Sequence, residues 1–265
     1  MSITPIFYQS WDTELPNVIF NKNKKCIPDS FSYKRFSIKD IVEYLTEKWP
    51  HVLNKFNSYE IIQHKIDLWR YCILYDTGGI YMDVDCILMD DIKCLLDSDC
   101  FFVSNTRGNT DIFNGFLGTY PNNPLYLEII QYMLGTDNTE YFFNCKELYT
   151  IINKYVCITQ NVFDYTWNTK KISILWDIQK QDSRFYPYYY NKCILVETNP
   201  FYPYVMKGEI INIYKIINNI PTNVIQYPNE WNVIYETSDE YMLKNSKYTN
   251  IVVNNICKNN VIRIN

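Results

Sequence analysis

Between residues 62 and 85 the hydrophobic period of the chain changes abruptly, and this change restricts the fold more than any other feature. Ile62, Ile66, Trp69 and Ile73 recur at spacings of four, three and four, the stripe of a helix with one buried face. Asp76-Thr77-Gly78-Gly79 follows, and glycine just past a helix end takes up left-handed dihedrals at little cost. Ile80 to Asp85 then alternates: Ile80, Met82 and Val84 point one way, Tyr81, Asp83 and Asp85 the other. Asn57 and Glu60 have the spacing of a capping box, which places the start of the helix at Asn57. A helix that passes directly into a strand commits the region to layered α/β or α+β packing. It also delivers two carboxylates to the polar face of that strand.

The remaining segments fit the same class. Residues 3–8 read as a buried strand ending at Gln9-Ser10-Trp11, and the polar stretch 21–25 as a loop. Ile41, Tyr44, Leu45 and Trp49 mark a helix over 38–49 that Pro50 ends. Strands are expected at 101–104, 112–118, 172–176 and 194–196, and helices at 125–134 and 140–155. Beyond Gly208 the chain is rich in Asn and Ile and shows no usable period. With no repeat and no Pro/Gly/Ser linker, 1–265 reads as a single domain. Its 47% apolar and 20% charged residues suit a packed globule.

Charge and cysteine usage exclude some functions. Twenty-five Lys and Arg against 29 Asp and Glu leave a net charge of −4, which argues against a nucleic-acid partner held by a basic face. No apolar run approaches the ~20 residues of a membrane span, and Met1-Ser2-Ile3-Thr4-Pro5 is no secretory signal. A soluble cytoplasmic protein is expected. The nine cysteines contain no C-x-x-C pair, so buried reduced thiols are expected rather than a thiolate zinc site.

Two Asp at i and i+2 on one strand repel each other unless a cation lies beside them. Mg²⁺ or Mn²⁺ prefers such oxygen ligands and often completes its shell with substrate phosphates. A second D-x-D, Asp97-Ser98-Asp99, lies in a polar segment and reads as a solvated turn. His51 and His64 are the only histidines. His64 stands one turn before Asp67 and is expected to be structural.

The run Asp67-Leu68-Trp69-Arg70-Tyr71, then Gly78-Gly79-Ile80-Tyr81-Met82-Asp83-Val84-Asp85, resembles the signature of D-x-D glycosyltransferases with a GT-A fold. The resemblance is to family 32 and its relatives, which include capsular sugar transferases and the catalytic domains of clostridial glucosylating toxins. Residues 3–11 and Asn114-Gly115-Phe116 resemble the opening strand and middle segment of that family, so the likeness covers roughly the first half of the chain. It implies an α/β, GT-A-like single domain with a mixed, mostly parallel sheet flanked by helices. Nucleotide-sugar binding would lie mainly in 1–120, and acceptor-side and C-terminal elements in 121–265. It implies a metal-dependent, retaining transferase that moves a sugar from a UDP- or GDP-sugar to a glycan or protein hydroxyl, with Mn²⁺ or Mg²⁺ as cofactor. Asp85 would ligate the metal directly, and Asp83 would contact the ribose and the metal's water shell. Asp67 and Arg70 would bind donor sugar and diphosphate, making Asp67, Arg70, Asp83 and Asp85 the catalytic set. Trp11, Tyr75, Gly79 and Asn114 complete the donor-binding set, Trp11 by stacking on the base.

The family's C-terminal His has no counterpart after His64, and Asn229, Glu230 and Trp231 are the candidates for that region. Two alternatives stand beside this reading. Asp83-Val84-Asp85-Cys86-Ile87-Leu88 also resembles the opening of haloacid-dehalogenase phosphohydrolases. A non-catalytic sugar- or nucleotide-binding module is the other.

Overall fold

The computed structural model describes residues 2–11, 23–84, 86–104, 110–177 and 187–197, with backbone alone at 196–197, and the backbone of six further strands between 212 and 264. The first part alternates strands and helices: β1 (Ile6–Ser10), β2 (Ser32–Phe36), α1 (Ile38–Lys48), α2 (Leu53–Ser58), α3 (Ile62–Thr77) and β3 (Gly79–Met82). There follow β4 (Cys86–Leu88), β5 (Cys100–Ser104), β6 (Ile112–Thr119), α4 (Pro124–Gly135) and α5 (Phe143–Val156). Then come β7 (Asp164–Trp167), β8 (Lys170–Asp177), β9 (Pro187–Tyr189), β10 (Lys192–Cys193) and β11 (Leu195–Glu197).

Nine strands make one mixed sheet in the order β10-β9-β8-β5-β6-β3-β1-β2, with β7 paired to β8. Parallel pairing joins β2, β1 and β3, and again β5 and β8. β6 runs antiparallel between β3 and β5. With β9 antiparallel to β8 and β10 antiparallel to β9, strands β1, β2, β3, β5, β8 and β10 all point one way. This is the mixed, mostly parallel α/β sheet expected. β4 leaves it to pair with β11.

The period-two pattern sorts the sheet's side chains into two cores. Tyr8, Tyr81, Phe102, Leu117 and Ile174 face the helices and pack with Leu68, Trp69, Tyr126, Ile129 and Ile152. Phe7, Ile80, Met82, Phe101, Val103, Phe116 and Leu175 face the other way, onto Leu88, Ile92, Leu95 and Leu195. Helices α1 to α5 thus cover one face of the sheet, while short strands, a 3₁₀ turn and a helical turn at 23–26 cover the other. Full burial of each large apolar side chain contributes roughly 1.5–3 kcal/mol.

Residues 23–25, expected in a loop, belong to a helical turn over 23–26, and two further sequence expectations need correcting. Asn57 lies inside α2 and caps nothing; α3 begins at Ile62 behind an extended Ile61 that offers no side-chain cap. Phe56 is buried and holds the intervening α2 in place. The capping box belongs to α1, where the Ser37 hydroxyl accepts from the Asp40 N–H at 3.2 Å and the Ser37 N–H donates to Asp40 Oδ2 at 2.8 Å. The second correction is that β3 ends at Met82, two residues before Val84. Past residue 208, where the sequence showed no period, strands Asn212–Ile217 and Ile220–Gln226 pair, and Trp231–Glu236, Glu240–Asn245, Ile251–Asn254 and Ile262–Ile264 form a four-stranded antiparallel sheet.

The junction of α3 and β3 needs its glycines. Gly78 sits at φ +64° and Gly79 at φ +109°, and a Cβ on Gly79 would fall 2.7 Å from the Ile6 carbonyl oxygen. Gly79→Ala is therefore expected to cost about 2 kcal/mol or more in urea unfolding. Gly135→Ala, at the end of α4 where an added methyl meets nothing within 4 Å, is expected to shift stability by less than ~1 kcal/mol, in the stabilising direction.

Candidate active site

Strand polarity decides where a ligand can meet the sheet. β1, β3 and β5 run together, so Gln9 to Trp11, Asp83 and Ser104 lie at one edge, and the amino end of the antiparallel β6 brings Asn114 to the same edge. Ligand crevices of open α/β sheets form outside the carboxyl ends of the strands.

Asp83 follows directly from β3. Its N–H donates to the Gly115 carbonyl at 2.7 Å, and the Asp83 carbonyl accepts from the Cys86 N–H at 3.2 Å. Gln9 Nε2 reaches the same carbonyl at 3.4 Å. The carboxylate is aimed by two donors on one oxygen: Arg70 Nη2 at 2.8 Å and the Tyr81 hydroxyl at 2.7 Å, both to Oδ1. Oδ2 lies over Gly115, where a Cβ would come within 2.4 Å of it. Glycine at 115 thus leaves room for the carboxylate.

Arg70 is the hub. The helical i, i+3 spacing brings Asp67 Oδ1 to 3.1 Å from Nη1. The same Nη1 donates to the Asn114 carbonyl at 2.6 Å, and Nη2 donates to the Tyr81 hydroxyl at 3.1 Å. The guanidinium carbon lies 4.0 Å from the centre of the Tyr81 ring, so the cation also rests on an aromatic face. Arg70 and Asp67 are 3% and 6% exposed, which rules out the surface ion pair that an Asp-x-x-Arg on a helix ordinarily makes. On the far side of Asp67, Asn144 Nδ2 donates to Oδ2 at 2.6 Å.

Burial pushes the Asp67 carboxyl above its ordinary range, against the opposing pull of Arg70 and Asn144. Desolvation also works against the Arg70 charge, but Asp83, Tyr81 and Asp67 around it hold its pKa well above the ordinary value. Burial raises the Tyr81 hydroxyl, so it stays protonated and donates to Asp83.

The structure brings Asp67, Arg70, Asp83 and Asn114 together. Asn114 enters through its backbone carbonyl, while its amide donates to the Tyr71 hydroxyl at 3.3 Å. Trp11 stands half-buried at the carboxyl end of β1, its backbone N–H donating to the Phe36 carbonyl at 2.9 Å. Tyr75 and Gly79 are not part of this group. Tyr75 lies two turns beyond Asp67 on α3 with its ring edge-on to Trp49, and Gly79 is at the opposite end of β3. Asp85, Asn229 and Glu230 lie outside the described residues, as does the Trp231 side chain. Among the described residues no group of three or more His, Cys, Asp or Glu side chains could hold a metal ion. His64 is buried against Tyr59 and Phe143 and bonds the Tyr141 carbonyl, the structural role expected. Asp99 is structural too: it pairs with Lys170 and accepts from the Lys171 N–H, tying down the start of β8. The eight cysteines among the described residues are free thiols, and Cys257 lies outside them. No helix among the described residues is long and apolar enough to cross a membrane.

Sequence reading missed Tyr81 and Asn144. The alternation of β3 had placed Tyr81 on the face of Asp83, so its part was available. Asn144 is 77 positions from Asp67 and carries no local signal.

Comparison with known proteins now bears on this site. Residues 8–102, which contain Asp67, Arg70, Tyr81, Asp83 and Asp85, match the family described as glycosyltransferase sugar-binding region containing DXD motif. This segment is similar to DXD-type sugar-binding regions. An uncharacterized glycosyltransferase of Acanthamoeba polyphaga mimivirus is 28% identical over 141 residues, which is 51% of this chain and 56% of that protein. Inositol phosphoceramide mannosyltransferase 3 of Schizosaccharomyces pombe is 29% identical over 134 residues, 49% of this chain and 37% of that protein. The chain thus spans about half the length, or less, of these curated relatives. A solved structure named PaToxG glycosyltransferase aligns with a TM-score of 0.41 and 16% identity, over 58% of this chain and 69% of that one.

Removing the cation tests the energetics. Arg70→Met leaves Asp67 buried without its counter-ion and is expected to cost about 3–5 kcal/mol. With Arg70 gone the Asp67 carboxyl rises further, so the protonated form is favoured in the folded state. Stability present at pH values below the ordinary carboxylate range is then lost as pH rises through the raised value. Urea midpoints of the variant and the wild type are therefore expected to lie closer together at pH 5 than at pH 8.

Proposed function

We propose that this chain is a metal-dependent glycosyltransferase that moves a sugar from a nucleoside-diphosphate donor to a hydroxyl of a glycan or protein, with retention of anomeric configuration. The observation that carries the reading is the aimed carboxylate of Asp83: one oxygen is fixed by Arg70 and Tyr81, and the other is left over Gly115 at the ligand-binding edge of the sheet. The family match over residues 8–102 supports it. The donor side lies mainly in 1–120, and acceptor-side and C-terminal elements in 121–265, of a single GT-A-like domain.

The residues present fit a hard divalent ion. Mn²⁺ and Mg²⁺ take carboxylate oxygens together with substrate phosphates, and the carboxylates of Asp83 and Asp85 would supply such oxygens. When bound, the ion supplies Lewis-acid neutralisation of the departing diphosphate. Tyr81 and Arg70 hold Asp83 in one rotamer, so no reorganisation is needed as charge develops. Asp67 acts on the donor sugar, and Trp11 offers a flat face to the base.

The test is a screen of UDP- and GDP-sugars with Mn²⁺, read as release of nucleoside diphosphate. Turnover is expected with at least one donor, abolished by chelator and by Asp85→Ala, and reduced at least ~10-fold by Asp83→Ala. Turnover that survives in Asp85→Ala, or in excess chelator, overturns the reading.

A further inference from the structure

Asn144 is fully buried at the start of α5, outside the segment that matches the sugar-binding family. Its amide donates to Asp67 Oδ2 at 2.6 Å, while its own Oδ1 is buried with no hydrogen-bond partner among the described residues. This arrangement costs stability, since a buried acceptor left empty is penalised. The reverse orientation of the amide would set a carbonyl oxygen against the Asp67 carboxylate, so the donor faces Asp67 and the acceptor goes unmet. Nothing in the packing of α5 requires an amide there. Phe143, Leu148 and Ile152 already join it to the core.

The start of α5 is held where this contact needs it. His64 bonds the Tyr141 carbonyl at 3.2 Å and sets its ring edge-on to Phe143 at 5.0 Å. Tyr59 packs against both rings, and its hydroxyl donates to the Met133 carbonyl at 3.1 Å. The buried histidine and its aromatic neighbours thus lock the residues before α5 onto α3, one turn before Asp67.

From this we infer that Asn144 is a positioning residue of the transferase: it fixes the second oxygen of Asp67, as Arg70 fixes the first, and so sets how Asp67 meets the donor sugar. Asp67 then has one orientation, bound on both sides, and a continuous chain of contacts runs Asn144–Asp67–Arg70–Asp83. The second half of the polypeptide in this way supplies a part of the donor site that the matched segment lacks. The inference rests on the reading of Asp67 as a sugar-binding residue.

The experiment compares wild type, Asn144→Leu, Asp67→Asn and the double variant. Turnover is measured with the nucleotide sugar that wild type uses, and inhibition with the free nucleoside diphosphate. Asn144→Leu is expected to lower kcat/KM for the nucleotide sugar about 10–100-fold while the inhibition constant of the free diphosphate moves less than ~3-fold, and to add almost nothing to the loss in Asp67→Asn. A general structural defect would weaken both ligands together. Turnover within twofold of wild type overturns the inference, as do a parallel loss of diphosphate affinity and additive losses in the double variant. Where the leucine variant fails to fold, Asn144→Ser takes its place. If wild type turns over no nucleotide sugar, the functional reading fails separately. Urea unfolding of the four proteins then decides the Asn144–Asp67 contact: non-additivity of about tenfold in the unfolding equilibrium constant is expected, and additive effects overturn it.

Discussion

A guanidinium with almost no access to water sits between two carboxylates, and the rest of the site is arranged around it. Arg70 contacts Asp67 through one nitrogen and Asp83 through the other, and its guanidinium carbon lies over the Tyr81 ring. Removing such charges from water costs several kcal/mol per ion, and packed apolar side chains of similar volume would often stabilise the fold as well or better. The network is therefore poorly explained as a stabilising device. It is well explained by what it does to Asp83, whose rotamer it fixes at the edge of the sheet where a ligand would arrive.

The fold makes this arrangement possible through a single change of period. α3 sets Trp69 and Arg70 against Tyr81 of β3 and buries Asp67 between Arg70 and Asn144 of α5. The Gly78-Gly79 turn reverses the chain, and β3 then runs back beside the helix so that Asp83 returns to the level of Arg70. The close backbone approach at Gly79 and the room at Gly115 serve the same end. β6, antiparallel between β3 and β5, contributes the Asn114 carbonyl to the guanidinium and the Gly115 carbonyl to the Asp83 N–H.

Much of this was legible in the residues. The helical stripe, the Gly-Gly stop and the alternation of 80–83 led to the helix, the turn and the strand, because each is a local preference that tertiary packing reinforced. The Asp67–Arg70 pairing followed from helical geometry. The capping box did not hold, since Asn57 and Glu60 have the right spacing but the buried Phe56 demands a separate short helix first. Carrying the strand past Met82 failed for a related reason: alternation cannot tell a strand from a turn that happens to continue it, and the Asp83 carbonyl accepts from the Cys86 N–H. Tyr81 stood on the face of Asp83 in the alternation but was given no role. Asn144 could not be read at all, because a contact between positions 67 and 144 leaves no mark in either neighbourhood.

The central claim is that Asp83, held by Arg70 and Tyr81, takes part in gripping a metal-bound diphosphate. Calorimetric titration tests it most directly, with UDP and GDP each titrated into wild type and Asp83→Asn, in Mn²⁺ and in excess chelator. The account predicts binding of at least one nucleotide to wild type only when Mn²⁺ is present, weakened at least ~10-fold by Asp83→Asn. Equal affinity with and without the metal, or an Asp83→Asn protein that binds as tightly as wild type, would contradict it.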